Sequence, residues 1–477
     1  MLIKFDQQGS LFEQLARALK REILEGRLKA NSYMPATRKL ADALGVSRNT
    51  VLGAYELLRS EQLVSAQPGS RTRVMNNTVA PLVRASRFSI KAQSRFSART
   101  RRLSFLPRPR LKTTPQYDLW YGDALTRPPL LASWRRKLVA ASVWVESRYP
   151  SAIGLPSLRS AIANYLLRRR GVSCEPDDIL IVSGTQQAVC VVARTLLDEG
   201  QSAVIEEPHY RLARLTLLSR GARVTCVRVD SEGLVTTELP SQPPRLILVT
   251  PSHQFPSGAV LSLTRRLELL KYAAANDCWI LEDDYDGEFQ YGDRPLPALR
   301  SLDVGERVIY CGSFSKTLFP GLRLGFIVCP AGLRDDLHMA KILEDLGCSS
   351  VDQAALAAFL ESRQYERHLR KSLGELRNRR QALLDGLSRN LGGQIDVAAS
   401  SSGMHLVVWF KRLSYRALDR LVEHAREQGL GIYPIHPFYQ TRPPRPGLIL
   451  GFAALSPAQL HTATVVLAGC LANFRSS

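Results

Sequence analysis

The sequence predicts an α/β protein of two folded units, a small N-terminal winged helix-turn-helix followed by a large domain built on a mostly parallel sheet. Three observations carry that expectation. Between Ser10 and Val74 two helical stretches, a tight turn, a third helical stretch and a short polar hairpin follow one another. From Asp118 onward, short apolar runs alternate with amphipathic stretches, the pattern of strands buried on both sheet faces. A chain of 477 residues also exceeds what one hydrophobic core can serve.

In the first unit, Leu11, Leu15, Ala18, Leu19 and Ile23 share one helical face, which stops at Gly26. A second short helix runs from about Arg38 to Leu44 and ends at Gly45. Ser47 is a good N-cap for a third helix, whose buried face carries Val51, Tyr55 and Leu58. Arg48, Asn49 and Thr50 then fall on the first turn of that helix, where side chains of a recognition helix reach base edges. Arg48 offers a fork to guanine, and Asn49 can pair with adenine. Arg38 opens the second helix, where it can grip a phosphate. Pro35-Ala-Thr-Arg-Lys-Leu-Ala, Leu44-Gly-Val-Ser-Arg-Asn-Thr-Val and Tyr55-Glu-Leu-Leu resemble the winged helix of GntR-family regulators. The resemblance implies that Arg38, Ser47, Arg48 and Thr50 face double-stranded DNA, together with Gly69 and Ser70 in the wing. Arg71 stands where a second wing glycine is usual.

The net charge of +21 calls for a polyanionic partner, nucleic acid or an acidic membrane surface, and the reading helix makes nucleic acid the choice. No Asp or Glu occurs between Met75 and Tyr117, while Arg84, Arg87, Lys91, Arg95, Arg99, Arg101, Arg102, Arg108, Arg110 and Lys112 accumulate. Such a segment buries too little apolar surface to order itself. The expected organisation is therefore a winged helix over 1–76, a basic flexible linker over 77–115 and an α/β domain over 116–477. The linker is either a plain tether or an extra set of phosphate contacts. The eight cysteines are scattered without a CxxC pair, so neither a metal nor a disulfide framework is expected. No apolar run approaches the ~18 residues of a membrane span, and a cytoplasmic protein is expected.

In the large domain the strand-like runs are Ile179–Val182, Ala203–Ile205, Leu246–Val249, Trp279–Leu281, Val308–Tyr310 and Phe326–Val328. Just after one of them comes Ser313-Phe-Ser-Lys-Thr-Leu-Phe-Pro-Gly-Leu-Arg-Leu-Gly325. An amine such as that of Lys316 loses its proton more readily in an apolar setting near other cations, as condensation with an aldehyde requires. Ser313, Ser315 and Arg323 can donate to a phosphate beside it. The run resembles the pyridoxal 5'-phosphate (PLP) lysine signature of fold type I aminotransferases. Val182-Ser-Gly-Thr-Gln-Gln-Ala188 is a strand-to-helix turn whose Gly184, Thr185 and Gln186 N–H groups can point at an anion. In the resembling family that turn binds the cofactor phosphate, and Tyr210 matches the aromatic stacked on the pyridine ring. The resemblance assigns Asp283 to the ring nitrogen, with Asp284 as the alternative, and Tyr285 to the phenolate oxygen. Phe255 replaces the asparagine that normally meets that oxygen, so transaminase efficiency is expected to be residual.

The order of winged helix, linker and aminotransferase-like domain, with Pro251-Ser-His-Gln-Phe-Pro-Ser-Gly and Glu282-Asp-Asp-Tyr-Asp, resembles the MocR subfamily of GntR regulators. It implies a fold type I PLP-transferase domain, a head-to-tail homodimer, bound PLP, and control of genes for amino-acid, amine or vitamin B6 metabolism. Two other readings remain: an aminotransferase with an accessory N-terminal domain, and a regulator whose large domain is a scaffold without cofactor. The winged helix disfavours the first of these, and Lys316, Arg323 and Asp283 disfavour the second. Ile449 stands where aminotransferases carry the arginine that grips a substrate carboxylate. Arg442, Arg445, Arg211 and Arg214 are the candidates to replace it for an amino-acid or amine effector. The expectation leans to PLP itself as the effector.

Overall fold

The structure, a computed structural model, describes residues 5–66, 71–75, 94–103, 115–143, 148–292 and 297–473. The chain divides into two compact units, Met1–Gln93 and Ser94–Ser477.

In the first unit, α1 (Leu11–Leu24), α2 (Thr37–Leu44) and α3 (Arg48–Ser60) precede an antiparallel pair, β1 (Val64–Ser65) and β2 (Arg73–Val74). Local chemistry sets the ends. Glu13 accepts from the Ser10 backbone N–H at 2.9 Å, Gly45 closes α2 at φ +65°, and Ser47 Oγ accepts from Thr50 N at 3.0 Å. Leu15, Leu19, Val51, Ala54 and Leu58 are fully buried, and the Tyr55 hydroxyl ties α3 to Pro35 O at 2.8 Å. Leu11, expected on the buried stripe, is instead 44% exposed. It precedes the part of α1 that packs on α3, and Phe12 lies against Gly53 in its place. The hairpin turn with Gly69 and Ser70 lies outside the described residues.

The stretch read as linker needs correction in one part. Arg95–Thr100 forms a helix, α4, with Ser94 Oγ accepting from Ser97 N at 3.1 Å. Arg95 and Arg99 both pair with Glu199, at 3.1 and 2.6 Å, and Arg99 also donates to Ser219 O at 3.4 Å. A carboxylate and a helix-end carbonyl on the large unit thus order a cationic segment that composition alone reads as mobile. Arg84, Arg87, Lys91, Arg108, Arg110 and Lys112 fall outside the described residues.

The large unit is built on β3 (Ile179–Val182), β4 (Ser202–Glu207), β5 (Arg223–Asp230), β6 (Gly233–Leu234), β7 (Leu246–Val249), β8 (Trp279–Asp284), β9 (Val308–Ser313) and β10 (Gly325–Val328). Their order across the sheet is β3-β10-β9-β8-β7-β4-β5-β6. The expected runs are all strands, but β10 is antiparallel to both neighbours, with Ser313 opposite Gly325. β5, covered on its outer side only by the two-residue β6, alternates exposed and partly covered residues over Arg223–Cys226, so it lacks the continuous apolar run that marks β4. The parallel strands end at Val182, Glu207, Val249, Asp284 and Ser313, and the connections leaving that edge carry the candidate site residues. A smaller antiparallel sheet follows, β11 (Ile395–Val397), β12 (His405–Phe410), β13 (Tyr433–Pro434) and β14 (Gly447–Gly451), in the order β11-β12-β14-β13.

Candidate functional site

At one end of the site, Gly184 at φ +80° turns the chain from β3 into the helix Thr185–Leu196. A Cβ on Gly184 would stand 3.2 Å from Arg323 Nη1, so glycine serves both the left-handed backbone and the close guanidinium. Arg323 Nη2 donates to Ser183 O at 2.5 Å. The Gln186 side chain turns away to Thr216 Oγ1 at 2.8 Å, leaving the first-turn backbone N–H groups to meet an anion. Ser313 Oγ accepts from Ser315 N at 3.2 Å on the same side of the sheet.

Lys316 lies on the β9–β10 connection and directs its amine inward, donating to Gly122 O at 2.8 Å and Tyr121 O at 3.4 Å. Burial lowers its pKa, which favours the neutral, nucleophilic amine. Asp283 is buried and, among the described residues, has a single weak hydrogen bond, from Thr185 Oγ1 at 3.5 Å. Burial, reinforced by Asp284, pushes its carboxyl up to about 8. Asp284 is engaged instead, with Arg170 at 2.6 Å and the Tyr310 hydroxyl at 2.6 Å. Tyr210 stands close enough to feel Asp283, and burial pushes its hydroxyl to about 12. The Tyr285 hydroxyl meets His253 Nδ1 at 2.9 Å, and that nitrogen also meets Asp286 at 2.9 Å. Sequence reading missed Arg170, His253, Asp286, Tyr121 and Gly122, all of which act through contacts distant in the chain.

Phe255 faces an aromatic wall. Its ring lies 5.9 Å from Tyr121, 6.0 Å from Tyr210, 5.9 Å from Tyr285 and 5.2 Å from Phe438. Ile449 is fully buried in the same cluster, with Val407, Ile435 and Phe438 and with Tyr121, Phe255 and Tyr433 packed against it. Three of the four arginines expected to replace a guanidinium there have other partners. Arg442 stacks on Tyr415 at 4.6 Å, Arg445 pairs with Asp396 at 2.7 Å and Arg214 donates to Gln440 Oε1 at 3.2 Å. Arg211 begins the helix Arg211–Ser219, immediately after Tyr210.

On the winged helix, Arg38, Ser47, Arg48 and Asn49 are exposed and Thr50 is half-buried. Ser47 and Thr50 share a hydrogen bond at 2.8 Å, so their hydroxyls first serve the cap. Among the described residues, Arg38 and Arg48 make no ion pair, which leaves their charge facing outward.

A winged helix-turn-helix and an aminotransferase-like domain on one chain define a class of DNA-binding transcription regulator. Residues 11–74 match bacterial regulatory proteins of the gntR family, and residues 126–467 match aminotransferase class I and II. The probable rhizopine catabolism regulatory protein MocR of Rhizobium meliloti is 36% identical over 97% of this chain and 94% of its own. The pyridoxine biosynthesis transcriptional regulator PdxR of Corynebacterium glutamicum is 29% identical over 93% of this chain and 92% of its own. Among solved structures, the kynurenine aminotransferase of Pyrococcus horikoshii in complex with PMP matches 77% of this chain and 93% of its own, at TM-score 0.70 and 26% identity. The chain belongs to the MocR subfamily of GntR-family transcription regulators. Among the described residues, no helix is long and apolar enough to cross a membrane.

Proposed function

We propose that the chain binds PLP at Lys316 and that PLP or its adduct tunes the affinity of the winged helix for operator DNA. The observation that carries this reading is Asp283, a buried carboxylate with one weak partner, set in the same site as an inward-facing lysine amine. A buried acid without a counter-charge is costly, and a protonated pyridine nitrogen is the partner that removes the cost. The Gly184 turn with Arg323 fits a phosphate, and Tyr210 fits the ring face. When bound, PLP supplies an aldehyde and an electron-poor ring. Lys316, its pKa lowered by burial, would supply the amine, Asp283 would hold the ring-nitrogen proton, and Tyr285, backed by His253, would hold the phenolate oxygen. The resemblance supports a cytoplasmic head-to-tail homodimer and targets in amino-acid, amine or vitamin B6 metabolism.

The apolar cluster of Phe255 and Ile449 favours PLP itself over an amino acid as effector, because among the described residues the cluster contains no cation to pair a carboxylate. The same cluster disfavours the aminotransferase reading and leaves at most residual transamination. Absorbance of the purified chain tests the proposal: a visible band that borohydride fixes onto Lys316, and operator affinity that changes on adding PLP, support it. A colourless chain after PLP addition rejects it.

A further inference from the structure

We propose that Glu207, His209 and Cys226 form a binding site for a thiophilic divalent cation of the zinc class. Their donor atoms lie within 4.8 Å of one another. The pairing of β4 with β5 sets Ile205 opposite Cys226 and Glu207 opposite Arg228, which brings the thiol beside residues some twenty positions earlier. Glu207 Oε1 accepts from the backbone N–H groups of Gln440 at 2.5 Å and Thr441 at 3.1 Å. Its other oxygen faces His209 Nδ1 at 3.1 Å, so the carboxylate is already oriented. Gln440 Oε1, 3.1 Å from Cys226 Sγ, supplies a fourth donor.

One nitrogen, one sulfur and two oxygens suit a tetrahedral zinc ion. Bonds of about 2.0–2.3 Å place such donors about 3.3–3.8 Å apart, so closure asks for roughly one ångström of movement. Glu207 and Cys226 line an open groove of about 820 Å³ with Gln440 and Thr441, which gives an ion a path in. Arg214, hydrogen-bonded to Gln440 Oε1 at 3.2 Å, is a cation beside the cluster, and Arg228, Arg442 and Arg445 also line the groove, so the two anionic ligands, Glu207 and the Cys226 thiolate, are what favour a cation here. An ion here would fasten the end of β4 to the Phe438–Thr441 segment, which His209 already meets through its backbone N–H, donated to Phe438 O at 3.0 Å. Tyr210 follows His209 directly, so occupancy would stiffen one wall of the Lys316 site.

The site does not depend on the PLP reading, and it is tested by titrating the tag-free full chain, stripped with a chelator, with Zn²⁺ against a chromophoric chelator. One ion per chain is expected, with affinity lowered by about tenfold or more in His209→Gln and in Cys226→Ser. Glu238→Gln, in the same groove but outside the cluster, should bind as the unaltered chain does. Co²⁺ added to the unaltered chain should give a thiolate-to-metal charge-transfer band that Cys226→Ser removes. Zinc binding that is the same in both ligand variants, or Co²⁺ without a thiolate band in the unaltered chain, overturns the proposal.

Discussion

Asp284 and Arg170 form a buried ion pair at 2.6 Å, with side chains 2% and 5% exposed, and this pair separates two adjacent acids by role. Asp284 is held by a guanidinium and a tyrosine hydroxyl, whereas among the described residues its neighbour Asp283 keeps only Thr185 at 3.5 Å. Asp284→Asn should therefore act on stability, costing about 3–5 kcal/mol because it leaves Arg170 buried without its partner. Asp283→Asn should leave the fold intact and weaken PLP binding by about tenfold or more, the worth of a hydrogen bond to a charged group. Urea unfolding and a PLP titration of both variants check this contrast.

The pH dependence of the cofactor-free protein should carry the mark of Asp283. Its carboxyl is raised from an ordinary 3.8 to about 8, so between those values the folded chain binds a proton that the unfolded chain has lost. The stability contributed by that proton is fully present below the unfolded value and disappears as pH rises through the folded one. Asp283→Asn removes this slope. Unfolding free energies measured from pH 5 to 8 should fall more steeply for the unaltered chain than for the variant, and parallel curves would exclude an unpartnered Asp283.

Arg48→Ala should cost about 1–3 kcal/mol at the preferred operator if the residue reads a base. Arg38→Ala should weaken binding more evenly across sequences, as removal of a phosphate-binding charge does. Neither should change PLP absorbance, because both lie in Met1–Gln93. Mobility-shift titrations on specific and unrelated DNA separate the two effects.

Within the basic segment, Arg95 and Arg99 have ion-pair partners, and Arg84 and Arg87 lie outside the described residues. Arg99 pairs with Glu199 and caps Ser219, so Arg99→Gln should leave the salt dependence of DNA binding unchanged. Arg84→Gln with Arg87→Gln should lower the slope of log affinity against log salt by about 0.9 for each phosphate no longer neutralised, if these charges touch DNA. An unchanged slope would assign the segment to tethering.

Much of this is legible in the sequence. The Lys316 run, the Gly184 turn and the Glu282–Tyr285 strand end are local signals, and in the structure they converge because parallel strands deliver their exits to one sheet edge. The choice between Asp283 and Asp284 is not legible there, since Arg170 reaches Asp284 across 114 residues. Helix α4 is hidden for a related reason: its counter-charge, Glu199, is 104 residues from Arg95. β5 escapes notice because its outer side, covered only by the two-residue β6, tolerates the polar alternation of Arg223–Cys226. The Glu207, His209 and Cys226 cluster has no metal-binding spacing, as strand pairing rather than sequence proximity creates it.

The most direct test is a titration of cofactor-free protein with PLP in which visible absorbance and affinity for DNA upstream of its own gene are followed together. One PLP per chain should bind, with a visible band that Lys316→Ala abolishes, an operator affinity that shifts as the band grows, and little spectral change when amino acids are then added. DNA affinity that stays constant while PLP saturates Lys316, or a band that survives Lys316→Ala, would contradict a regulator that senses PLP at this lysine.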